Sequence, residues 1–140
     1  MVNPFRAVEL VKAEVFTALP GAFRQRRRTE WAHWNRQGAE IDSFLEGPAF
    51  DRAGNLYVVD IPFGRVFRIT PAGAWDLVVQ YDGWPNGLKF HKDGRAFIAD
   101  YKAGLLALDP RTGRLETILA TAYSEGFKGL NDLHFASNGD

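Results

Sequence analysis

The sequence has no cysteine, one methionine, no surplus of charge of either sign and no long apolar run. Without cysteine there are no disulfides, no thiolate metal sites and no cysteine nucleophile, which is in keeping with a reducing compartment. Seventeen Lys and Arg offset seventeen Asp and Glu, so no global field draws the chain toward nucleic acid or anionic lipid. No apolar run approaches the ~20 residues that span a bilayer. Residues Met1 to Leu10 lack the basic-then-apolar plan of a signal peptide. These absences predict a cytoplasmic protein with neither a nucleic-acid nor a membrane partner. What is present is apolar and aromatic side chains, 46% and 14% of 140 residues, too many for a disordered tail.

Those side chains recur with a period. Glu46-Gly-Pro-Ala-Phe50-Asp-Arg-Ala-Gly54-Asn-Leu-Tyr-Val-Val-Asp60 aligns without a gap on Asn86-Gly-Leu-Lys-Phe90-His-Lys-Asp-Gly94-Arg-Ala-Phe-Ile-Ala-Asp100, 40 positions later. The register continues from Arg68–Gly73 to Leu108–Gly113, and a third copy opens at Asn131-Asp-Leu-His-Phe135, displaced by 45. The extra five residues fall between Ala120 and Leu130. Each copy holds short β-branched and aromatic runs separated by turn residues such as Lys92-Asp-Gly94. Strands are predicted at 46–51, 55–60, 64–70, 75–80, 86–91, 95–100, 104–109 and 114–119. Four strands per 40–45 residues is the period of a propeller blade, and the long 3.6-residue periodicity of a helical repeat is absent. The fold class is therefore an all-β propeller, here an incomplete piece. Residues 46–83 form blade 1, 84–130 blade 2 with its connection, and 131–140 the first strand of a third. Such a piece exposes a strand edge, and the chain alone is expected to be poorly soluble or to associate.

Residues 1–45 divide in two. Glu9 to Leu19 reads as one or two short strands. Pro20 to Ser43 is an insert holding Arg26-Arg-Arg28, Trp31, His33 and Trp34, placed by its junction with blade 1 beside the mouth of the channel, like a lid. The arginines read as a solvated loop or as an anion-attracting rim that includes Arg28. The tryptophans, Trp31 among them, read as packing or as ligand contacts.

Glu46, Asn86 and Asn131 each precede the aligned phenylalanine by four residues. They start the innermost strands, which in a propeller line one axis, so three oxygen-bearing side chains are expected to converge. Strand alternation puts Glu46, Pro48 and Phe50 on one side, and Asn131, Leu133 and Phe135 likewise. A carboxylate near that axis needs a cation or a donor. One carboxylate with amide oxygens is a hard donor set suited to Ca2+. The alternative is a channel filled by structural hydrogen bonds and water. Asp132 either orients its loop or reaches the site. Asp60 and Asp100 are expected to fix the turns that follow them. The histidines form no constellation, and there is no nucleophile elbow, zinc spacing or phosphate loop.

Phe44-Leu-Glu46-Gly-Pro-Ala-Phe50, Gly54–Asp60, Trp84-Pro-Asn86-Gly-Leu and Gly129-Leu-Asn131-Asp132-Leu together resemble the gluconolactonase, regucalcin (senescence marker protein) and luciferin-regenerating-enzyme family, from about Ala13 onward. The resemblance implies a six-bladed propeller with one divalent cation, usually calcium, on its axis, hydrolysing sugar-acid lactones or related cyclic esters. It implies metal ligation by Glu46 and an approach of Asn131 to metal or substrate, with Asn86, Asp132, Trp31 and Arg28 lining the channel. The family's further ligands, including the aspartate that serves as general base, have no counterpart in these residues. The resemblance thus implies a lactonase that is inactive as this piece alone. The competing readings are a non-catalytic propeller used as a binding or scaffold module, and a metal-free relative resembling strictosidine synthase, against which the carboxylate of Glu46 argues.

Overall fold

A computed structural model describes residues 10–127 and 129–139. Two four-stranded antiparallel sheets dominate it. The first has the order β1 (Leu45–Phe50), β2 (Leu56–Asp60), β3 (Arg65–Ile69), β4 (Trp75–Gln80); the second has β5 (Pro85–Phe90), β6 (Ala96–Asp100), β7 (Gly104–Asp109), β8 (Arg114–Leu119). All eight predicted strands are present, with ends within one residue of expectation. Each hairpin closes where the sequence has its turn residues: Gly54 N–H donates to the Asp51 carbonyl and Gly94 N–H to that of His91.

The sheets stack through a shared core. Tyr57, Val59 and Val66 of the first meet Leu88, Ala96, Ile98, Leu106 and Leu108 of the second, all buried. These are alternate residues of the inner strands, so one face of each sheet supplies the core. Truncating a fully buried member such as Leu88 to alanine typically costs about 2–5 kcal/mol.

The close approach of β1 to β5 depends on glycine. Gly47 has φ +57°, and a Cβ there would run into the Asn86 carbonyl. The same joint recurs one copy later, where a Cβ on Gly87 would lie 2.9 Å from the Asn131 carbonyl oxygen and 2.7 Å from Asp132 Cα. At both glycines the pairing register slips, between Glu46 and Ala49 and between Pro85 and Gly87. These bulges break the expected alternation: pairing puts Glu46 opposite Val59 and Ala49 opposite Tyr57, so the side shared with Glu46 resumes at Ala49, not at Pro48 and Phe50.

Three further expectations fail. The stretch from Leu10 to Leu19 contains no strand, and Glu9 lies outside the described residues. It docks by side chains instead. Leu19 joins Val58, Phe67 and Ile69 on the outer face of the first sheet, and Trp75 Nε1 donates to Thr17 Oγ1 at 3.0 Å. Residues 131–139 form no strand either, because no described segment pairs with them; they lie along β5 and β6, with Phe135 5.3 Å edge-on from Phe97. The five-residue excess is not a plain connection but a small hairpin, β9 (Thr121–Ala122) with β10 (Glu125–Gly126).

The insert is ordered. A bridge between Arg27 and Ile41 closes its neck, and it carries the short helix α1 (Glu30–Asn35), whose Thr29 cap accepts the Ala32 N–H through Oγ1 at 3.1 Å. Trp31 and Ala32 pack with Ile61, Phe44 and Trp84. Glu30 reaches across to Lys102 of the second sheet at 3.3 Å. Among the described residues, no helix is long and apolar enough to cross a membrane.

Candidate functional site

The two bulged inner strands and the segment after Gly129 deliver Glu46, Asn86 and Asn131 to one cleft of about 620 Å³. Each comes from the same place in its copy, just ahead of or at the glycine joint, so the stacking that builds the core also gathers these side chains. Glu46 is exposed and Asn86 half-buried.

The walls are aromatic. Trp31 and Trp34 come from α1, Phe44 from the approach to β1, Trp84 from the approach to β5, and Tyr101 from the turn after β6, with Ile61 and Asn35 filling between them. Trp31 rests on Phe44 with ring centroids 4.9 Å apart, and Trp84 lies 5.5 Å from Tyr101. Arg36 sits over Phe44 at 5.1 Å, closing the outer side of that stack. The sequence reading found Trp31 but overlooked Phe44, Trp84, Ile61 and Tyr101. The signal was the repeat itself, because Phe44 and Trp84 are 40 positions apart, as are Ile61 and Tyr101.

The other expected residues lie around this cleft. Asp132 lines a smaller neighbouring hollow, shared with Glu46, Asn86 and Asn131, and pairs with Lys89 at 3.6 Å. Arg28 is not in the cleft; it borders a separate cavity with Arg27, Tyr81, Trp84 and Lys102. There Lys102 is held as a cation, its pKa raised by Asp82 and then Glu30, and it lies 5.3 Å over the Trp84 ring. Arg28 is displaced from the cleft because the neck of the insert turns that face of the loop toward Pro62 and Phe63, where Arg27 sits 5.0 Å over the Phe63 ring.

Asp60 and Asp100 are both fully buried at the ends of β2 and β6. Asp100 fixes its following turn, its Oδ1 accepting the Lys102 and Ala103 N–H groups at 2.8 Å each. Asp60 does something else. It accepts the Phe44 N–H at 2.8 Å and pairs with Arg65, tying the start of the cleft wall to the sheet. Neither carboxylate is among the groups lining the cleft.

Among the described residues no three His, Cys, Asp or Glu side chains gather as a metal cluster. The cleft offers one carboxylate and amide oxygens, donors that fit a hard cation and not a sulfur- or imidazole-seeking one.

The architecture is that of a gluconolactonase-type all-β fold. A solved gluconolactonase from Xanthomonas campestris matches it with a TM-score of 0.64 at 21% identity, over 81% of this chain and 41% of that one. By sequence the chain belongs to the SMP-30/Gluconolactonase/LRE-like family, whose model matches residues 44–140. It is 32% identical over 119 residues to the lactonase drp35 of Staphylococcus aureus (strain USA300), covering 78% of this chain and 34% of that protein. It is also 31% identical over 103 residues to the lactonase drp35 of Staphylococcus epidermidis, covering 68% and 31%. The chain thus spans about a third of the length of these curated relatives.

Proposed function

We propose that this chain supplies one part of the active site of a divalent-cation-dependent lactone hydrolase built as a six-bladed propeller. The observation that carries the reading is the meeting of Glu46, Asn86 and Asn131, one from each copy of the repeat, in a single aromatic-walled cleft. Family membership and the similarity to lactonases support it.

In this reading Glu46 and the Asn131 amide oxygen hold the cation, with Ca2+ favoured by the donor set. When bound, the cation supplies a Lewis-acid contact for a lactone carbonyl. The chain's own residues do the rest. Asn86 and Asn131 offer amide N–H groups to the ring and carbonyl oxygens of a cyclic ester, and the aromatic walls offer an apolar surface to its C–H face. Asp132, paired with Lys89, steadies the backbone that presents Asn131. The water-activating carboxylate comes from sequence matching the other two thirds of the relatives, so this chain alone turns over no lactone.

Calcium titrated into the full-length propeller should raise its melting temperature, since a ligand of the folded state stabilises by linkage. Glu46→Gln should abolish that rise while leaving the melting temperature without calcium unchanged. An identical calcium response in wild type and Glu46→Gln would sink the assignment.

A further inference from the structure

One side chain of the cleft is out of keeping with the rest. Trp34 is 71% exposed, whereas Trp31, one turn earlier on α1, is 8% exposed. An uncovered indole wastes the large apolar area that makes tryptophan worth placing. Flexibility does not account for it, because α1 is tied down at every point. Thr29 caps its start, Asn35 Nδ2 donates to the Trp31 carbonyl at 2.9 Å, and the Arg36 N–H closes on Ala32. Trp31 anchors the helix in the core, and Glu30 bolts it to Lys102. The Trp34 ring is itself propped, with His33 meeting it edge-on at 4.8 Å and 82°.

Trp34 thus borders the cleft, on a rigid element, in the same lining as Glu46, Asn86 and Asn131. A flat apolar face near hydrogen-bonding groups suits a ligand with the same division: a ring with a C–H face on one side and an ester or amide group on the other. An open-chain ester presents no such face. The cleft lining contains no arginine or lysine side chain, so the protein itself offers no fixed positive group in the lining.

We propose that Trp34 is the specificity-determining wall of the cleft, a stacking platform that selects cyclic over open-chain esters and amides before any chemistry. This rests on the cleft being the ligand site proposed above, but needs neither metal nor turnover.

The test is binding of δ-valerolactam, a ring that does not hydrolyse, followed by indole fluorescence of the whole chain. Wild type should give a saturable change. Trp34→Ala should bind about tenfold more weakly, the upper end for one aromatic contact, and Trp34→Phe should restore most of the affinity. Because Trp34 is exposed, both variants should melt like wild type. N-methylpropionamide, the open-chain counterpart, should bind wild type about tenfold more weakly than the lactam and should not distinguish Trp34→Ala. No saturable lactam signal in wild type overturns the proposal, as does lactam affinity in Trp34→Ala within twofold of wild type, or equal affinity for ring and open chain. Loss of the calcium response with the lactam results intact would remove the metal reading and leave the platform standing.

Discussion

Asp60 and Asp100 occupy the same place in two copies of one repeat, both are fully buried, and their oxygens are satisfied by different partners. Asp60 faces a cation, Arg65, whose guanidinium also donates to the Phe23 carbonyl at 2.7 Å and lies 4.5 Å over the Phe63 ring. At the matching position in the second copy stands Leu105, and Asp100 relies on neutral donors: two backbone N–H groups and the Tyr81 hydroxyl at 2.9 Å. Burial, then the adjacent Asp100, pushes the Tyr81 hydroxyl well above its ordinary pKa, so it stays a donor. What the repeat holds in common is the buried acid, while its partners are chosen locally. A carboxylate can be kept from water either by an opposite charge together with one backbone donor, as at Asp60, or by dipoles alone, as at Asp100, because in both cases its oxygens are satisfied.

The comparison breaks hardest at Arg65. Replacing it by methionine removes the only cation beside Asp60 among the described residues and strands a buried charge, which should cost about 3–5 kcal/mol, measured by urea unfolding. Adding Asp60→Asn to Arg65→Met should recover part of that loss, because the stranded charge is gone. Tyr81→Phe should cost less, about 1–2 kcal/mol, since Asp100 keeps two of its three donors. If the two substitutions cost the same, charge and dipole partners are not distinguished in the way described. The smallest effect belongs to an exposed counterpart, Arg24 with Asp42 at 2.7 Å. The hydrogen bond from Arg24 holds the Asp42 carboxyl below its ordinary pKa. The pair therefore contributes above the unfolded value of Asp42 and is lost as pH falls through the folded one. That contribution lies within the ~0–1 kcal/mol of an exposed pair. Unfolding of wild type and Asp42→Asn should converge in acid and separate slightly at neutral pH.

The strands were legible in the sequence because each is bounded by a turn that needs glycine or a short polar residue, and because the pattern is written twice. The meeting of Glu46, Asn86 and Asn131 was legible for the same reason: equal positions in stacked copies come to one side. The bulges were not read, although Gly47 and Gly87 stand inside strands where glycine signals close backbone approach; alternation was carried across them and misplaced Phe50. The stretch before Leu19 has the β-branched content of a strand, yet its Thr17 and Leu19 find better partners by docking side chains on the first sheet. Helix α1 is too short for periodicity to announce it. It is capped locally by Thr29, and its anchoring contact, Trp31 against Phe44, appears only once the sheets exist. The aromatic wall is readable from the 40-residue offset, in Phe44 with Trp84 and Ile61 with Tyr101.

The glycine joints give the stack a direction. Gly47 receives the carbonyl of Asn86, and Gly87 receives the backbone of Asn131 and Asp132, so the second copy carries both a plug for the first and a socket for the third, and in the third copy Asp132 stands where the others have glycine. A coupling of that kind travels with the unit that bears it. A copy ending in a glycine socket can accept a successor, whereas a single methyl group in either socket would meet the neighbouring backbone and force the joined strands apart.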